Sequence, residues 1–162
     1  MASTYEKIAT TTLGSAAATI TFSSISGSYT DLVIVFRGNN TSAGNRAGTF
    51  ILNSDTGSNY SATFIQGDGT SVTSARETSG SIQYFANVLN DDTNAIMQFQ
   101  NYSNTTTYKT FLSRGNSSST VVQARVGLWR STSAINSITF GLNADNYATG
   151  STFTLYGILK AA

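Results

Sequence analysis

The chain contains no histidine, no cysteine and no proline. Without imidazole it has no side chain that ordinarily titrates near neutral pH and no imidazole metal ligand. Without cysteine it has no thiolate nucleophile, no zinc–sulfur site and no disulfide, so redox compartment leaves no trace here. Charge is scarce as well: nine Lys and Arg stand against eight Asp and Glu in 162 residues, a formal net charge of +1. The cations are scattered and never form a run, so neither a nucleic acid nor an anionic membrane is an expected partner. No apolar run approaches the ~20 residues of a membrane-spanning helix. Residues 1–7 lack the basic-then-apolar pattern of a signal peptide. The expectation is a soluble protein made in the cytoplasm.

What fills the chain instead is Ser, Thr, Asn and Gly, together with nine Phe and eight Tyr. Aromatic and β-branched residues suit a pleated, half-buried surface, and their abundance argues against disorder. The length fits one domain over 1–162. A chain of this size buries roughly 70% of its unfolded surface, enough for a core without covalent staples.

Short alternating segments recur between turn-forming loops. Residues 20–22 are apolar, polar, apolar, while 31–36 are more uniformly apolar after Asp31 and predict a central strand covered on both faces. Residues 46–53 carry Phe50 and Leu52 on one face, and 60–66 set Ala62 and Phe64 against Thr63 and Ile65. Residues 82–88 place Ile82, Tyr84 and Ala86 on one side. Residues 95–102 set Met97 and Phe99 against Gln98 and Gln100, and 107–113 set Tyr108 and Thr110 against Lys109 and Phe111. The longest run, 121–129, turns Val122, Ala124, Val126 and Leu128 one way, and 138–140 and 152–159 close the chain. The loops at 38–45, 53–59, 67–69 and 114–118 are built mainly from Gly, Asn, Asp, Ser and Thr, which supply left-handed backbone and local side-chain turns. No segment sustains a helical period. About ten short strands at turn spacings of 8–12 residues predict an all-β antiparallel sandwich or barrel. Residues 1–12 fit either an N-terminal arm or the first strand. One internal echo stands out: Ser15-Ala16, Ile20-Thr21-Phe22 and Tyr29 return at the same spacing as Ser133-Ala134, Ile138-Thr139-Phe140 and Tyr147. It predicts equivalent strand pairs near the two ends of the chain.

Catalysis finds little footing. A serine nucleophile needs a base, and the sequence offers no His and no Ser-x-x-Lys. Most of the eight acids sit in loops beside Gly or Asn, where Asp is an ordinary turn former, rather than as a glycosidase pair. Calcium is a minor candidate at Asp55-Thr56-Gly57-Ser58-Asn59 and at Asp91-Asp92-Thr93-Asn94. Neither matches an EF-hand or repeat-toxin spacing, so a solvated turn is the preferred reading and no cofactor is expected. Asn-x-Ser/Thr triplets at Asn39, Asn40, Asn59, Asn101, Asn104 and Asn116 carry no weight without a secretory signal. Sugar binding has aromatic candidates in Trp129, Tyr60, Tyr102 and Tyr108, with Tyr84 and Tyr147 beside them. Trp129, at the end of an apolar strand, is a better candidate for a core or an interface. Assembly suits the composition best: charge is depleted at interface cores, and unprotected strand edges are covered when copies associate.

Several of these stretches together resemble a known group. Ile20-Thr21-Phe22-Ser23-Ser24-Ile25, Tyr29-Thr30-Asp31-Leu32, Asn53-x-Asp55-x-Gly57-x-Asn59-Tyr60-Ser61, Gly127-Leu128-Trp129 and 150–158 (Gly-Ser-Thr-Phe-Thr-Leu-Tyr-Gly-Ile) are similar to segments of small virion structural proteins of tailed bacteriophages, notably those infecting cyanobacteria. The likeness touches both ends and the middle of the chain. It implies a jelly-roll-like β-sandwich on the particle, with no catalytic residues to carry over. It leaves capsid and tail open. The compact length, with no heptads for a fibre shaft, favours a capsid decoration (cement) protein on the virion surface. Its partners would be the major capsid protein and copies of itself, as a homotrimer at local threefold positions. The alternative is a tail or fibre-tip domain that binds a host surface glycan. In either role Trp129, Tyr60, Tyr102 and Tyr108 are the candidate contact residues.

Overall fold

In the computed structural model, which describes residues 4–117 and 121–159, the chain is all β. In chain order the strands are β1 (Tyr5–Thr12), β2 (Thr19–Phe22), β3 (Asp31–Gly38), β4 (Arg46–Leu52), β5 (Tyr60–Gly67) and β6 (Val72–Gly80). They continue as β7 (Gln83–Val88), β8 (Thr93–Gln100), β9 (Lys109–Ser117), β10 (Val122–Trp129), β11 (Ile138–Leu142) and β12 (Thr152–Ile158). Two antiparallel sheets face each other. The larger has eight strands in the order β1-β12-β3-β8-β9-β10-β5-β6, the smaller four in the order β2-β11-β4-β7.

Period-two patterning sets which side chains meet between the sheets. On β8, Thr93, Ala95, Met97 and Phe99 are buried, while Asn94 and Gln100 are exposed. On β12 Phe153 and Leu155 face in, and on β4 Phe50 and Leu52 do. The centre is aromatic. Phe50 meets Phe111 edge-on at 4.9 Å between ring centroids, and Phe36 lies 4.6 Å from Phe153. Fully burying one such ring stabilises by about 1.5–3 kcal/mol, so this cluster supplies much of what holds the sheets together. Glycines open room for it: a methyl group on Gly127 would run into the Phe111 ring, and one on Gly157 into the Tyr29 ring.

The echoed segments turn out to be neighbours. β2 and β11 pair directly, Ile20 opposite Phe140 and Phe22 opposite Ile138, with the Thr21 and Thr139 hydroxyls hydrogen-bonded at 2.9 Å. Residues 5–12 are a strand, paired with β12; residues 1–3 lie outside the described residues.

Several local expectations need correction. The count is twelve against roughly ten: residues 5–12 take the first-strand option, and β6 adds a strand whose sequence, Val72-Thr-Ser-Ala-Arg-Glu-Thr-Ser-Gly, has no apolar period. Strand β3 is interior to its sheet, yet the four-stranded sheet covers only one face of it, and Val35 is exposed on the other. On β7 the buried positions are Gln83, Phe85, Ala86 and Val88, while Tyr84 is only partly buried. A bulge opposite Gly48/Thr49 shifts the alternation there. The largest inversion is on β10. Its alternation is as expected, but Gln123, Arg125, Gly127 and Trp129 face inward, and Val122, Ala124 and Val126 face solvent.

Candidate interaction surface

Of the four aromatic candidates, three are interior. Trp129, Tyr60 and Tyr102 are buried, and only Tyr108 is exposed. The reason lies in where their polar ends go. Trp129 closes β10 beside Tyr60 at the start of β5, their rings stacked at 6.4 Å and 15° between planes. The indole N–H donates to Asp55 Oδ2 at 2.6 Å. The Tyr60 hydroxyl accepts from the Leu52 amide at 3.0 Å and donates to the Asp55 carbonyl at 3.1 Å. Tyr102 donates its hydroxyl to the Ser26 carbonyl. With their polar tips satisfied inside, these three rings lie in the core, as the position of Trp129 at the end of an apolar strand suggests for that residue. Burial likewise raises the Tyr60 phenol to about pKa 12. Tyr147 is buried too, its hydroxyl on the Gly141 carbonyl at 2.6 Å.

The two acidic loops have protein partners. Burial pushes the Asp55 carboxyl up, and hydrogen bonds from Trp129, Asn59 and the Gly57 amide outweigh it, so its pKa lies below the ordinary value. A carboxylate ringed by N–H donors is the reverse of a cation site. Asp92 accepts from Arg37 Nη2 at 2.8 Å. Among the described residues no cluster of three or more Asp and Glu could hold a metal.

Two buried cations escaped the sequence. Lys109 donates from Nζ to the carbonyls of Thr107 and Thr132 at 2.8 and 3.1 Å, and burial lowers its pKa. Arg125 lies 3.3 Å from Glu77 Oε1, with its guanidinium 4.5 Å from the Phe64 ring centre and 5.5 Å from that of Tyr84. Burial lowers its pKa against the pull of Glu77.

The inward turn of Arg125 and Trp129 has a counterpart outside. On the outer face of β9, β10, β5 and β6, Leu112 is 42% exposed, Val126 53%, Ile65 52%, Val122 64% and Val72 73%. The registers make these neighbours. Val126 sits opposite Leu112, Ala124 opposite Ile65, Val122 opposite Gly67, and Gly67 opposite Val72. Ile65, Val72, Val122 and Ala124 line a depression of about 380 Å³. Thr63, Ser74 and Thr110 fill out the face, Arg76 and Arg114 are its cations, and its outward positions hold no Asp or Glu. Apolar residues scattered singly on a surface are ordinary, whereas contiguous ones mark interaction sites. No protein-family model matches the sequence, and a search of curated proteins returns no match.

Proposed function

We propose that this chain is a virion structural protein of a tailed phage, a capsid decoration protein that stabilises contacts between major capsid subunits and transforms no substrate. The observation that carries this reading is the outward apolar face of β9, β10, β5 and β6. A sheet face rich in valine, leucine and isoleucine, open to solvent and free of carboxylates, suits a broad protein contact better than a small-molecule site, which is usually concave and enclosed. Decoration of this kind raises the barrier to separating neighbouring subunits by burying area on both, on the order of 1,600 Å² for a stable contact. The sandwich fold agrees with the jelly-roll-like architecture that the resemblance implies. Of the aromatics considered for the glycan-binding alternative, the tail or fibre tip is left with Tyr108 as an exposed stacking face.

The experiment is particle retention and heat stability. Virions assembled with Val126→Asp together with Ile65→Asp should lose the protein on density-gradient purification and release DNA at lower temperature than those carrying the unaltered chain. Equal retention and equal release temperature would sink the decoration reading. Loss of glycan-array binding on Tyr108→Ala, with the particle unaffected, would favour the tail-tip alternative.

A further inference from the structure

The eight-stranded sheet ends in an open edge. Among the described residues strand β6 pairs only with β5, and β7, at the edge of the four-stranded sheet, packs against β5, β8, β9 and β10. Residues 72–76 are exposed along their whole length. Half of the backbone N–H and C=O groups in such a strand point away from its one neighbour, a template for another strand. Few of the usual protections stand on these residues: the chain has no proline, Val72–Arg76 contains no lysine and a single charge in Arg76, and its pairing with β5 is continuous from Val72 to Glu77. The far end is held in place. Arg130 Nη2 donates to the carbonyls of Ser58, Tyr60 and Thr78 at 3.1, 3.3 and 3.2 Å, pinning the strand at its bulge.

Charge is laid out along this edge in a self-complementary way. At the turn end, Asp68 accepts from the Ser71 amide at 2.7 Å and the Ser71 hydroxyl at 3.1 Å, which fixes its carboxylate on the residue before Val72. Four residues on, Arg76 is exposed on the outer face with no acidic partner among the described residues. Reversing the strand end for end swaps the positions of the acid and the cation.

We infer that β6 pairs antiparallel with β6 of a second copy, about a twofold axis at Ser74. In that register Ser74 faces itself, Thr73 faces Ala75, and Val72 faces Arg76, whose guanidinium reaches the other copy's Asp68. Outer-face residues stay on one side, so the two sheets become one and the apolar faces of the two copies join across the seam. A register centred on Arg76 would oppose two cations and is disfavoured. The contact is isologous, as twofold pairs require, and stands apart from the threefold assembly expected of a decoration protein. It does not depend on the virion reading.

The chain has no cysteine, which makes cross-linking decisive. The intact protein at tens of micromolar should sediment as a dimer. Ser74→Cys should form an intermolecular disulfide under mild oxidation, because directly opposed Cβ atoms lie within about 5.5 Å across an antiparallel pair. Thr70→Cys, in the turn outside the pairing, should cross-link at least tenfold more slowly. Arg76→Asp and Asp68→Arg should each weaken the dimer about tenfold, and the two together should restore it. Ser74→Lys, on the exposed edge, should give a folded monomer. A monomer, a trimer, or equal cross-linking at positions 74 and 70 would overturn the pairing while leaving the decoration reading to its own test.

Discussion

The indole N–H of Trp129 donates to the carboxylate of Asp55 at 2.6 Å, fastening the last residue of β10 to the loop that follows β4. The same carboxylate accepts from Asn59 Nδ2 at 2.9 Å and from the Gly57 amide at 2.8 Å. One side chain therefore organises the loop between β4 and β5 and anchors it to the larger sheet. Asp55→Ala should destabilise by about 1–3 kcal/mol, since buried donors are left without an acceptor. Urea unfolding followed by Trp129 fluorescence reads this directly.

Acid should undo the same anchor. The folded-state pKa of Asp55 is depressed, as are those of Asp68 and Asp145. A depressed carboxyl contributes stability above its unfolded pKa of about 3.9 and loses it as pH falls through the folded value. The urea midpoint should be flat above about pH 5 and drop below about pH 4, less steeply in Asp55→Asn than in the unaltered chain.

Alkali acts through the buried tyrosines, with the opposite sign: burial raises Tyr60, Tyr102 and Tyr147 above the ordinary phenol value. The folded Tyr60 pKa of about 12 exceeds the unfolded value near 10. Its contribution is complete below about pH 10 and is lost as pH rises toward the folded value. Tyr60→Phe should make that limb shallower, leaving the share of Tyr102 and Tyr147, and cost about 1 kcal/mol at neutral pH through the lost hydroxyl bonds. Midpoints measured across the alkaline range decide it.

Gly127 and Phe111 are a matched pair, directly opposite on β10 and β9, and a Cβ on the glycine would collide with the ring. Gly127→Ala should cost about 1–3 kcal/mol. Adding Phe111→Leu should then cost less than it does alone, a coupling that a double-mutant cycle reads out.

Arg125 tests the inverted face from within. Glu77→Ala leaves its guanidinium without a carboxylate and should cost about 1–3 kcal/mol. The pair Arg125→Met with Glu77→Gln removes the need for compensation and should fall within about 1 kcal/mol of the starting protein. On the outer side, Val122→Thr and Val126→Thr should shift stability by no more than about 0.5 kcal/mol, while reducing binding of a hydrophobic dye.

The strands that sequence patterning located well are those whose apolar positions meet the opposite sheet, such as β4 and β8. Alternation on β10 was equally plain, but alternation fixes only that two faces differ. Which face turns inward is decided by neighbours distant in sequence: Phe111 needs Gly127 beneath it, and Asp55 draws Trp129 inside. A run with valine on one side and arginine on the other gave no hint of those partners. Strand β6 was invisible because an edge with no core contact imposes no apolar period. The burial of Trp129, Tyr60 and Tyr102 was hidden for a related reason, since a tyrosine whose hydroxyl finds a carbonyl inside looks identical in sequence to one that faces water.

Strand β12 lies between β1 and β3, with Tyr5 opposite Ile158 on one side and Asp31 opposite Ile158 on the other. During synthesis the amino-terminal strand therefore emerges long before its hydrogen-bonding neighbour exists, and β3 waits with one flank bare. The large sheet can close only once the carboxy-terminal strand has cleared the ribosome. Such distant pairings fold slowly, on a scale of milliseconds to seconds, so a nascent chain stalled short of β12 would offer two raw strand edges to chaperones and to other nascent copies.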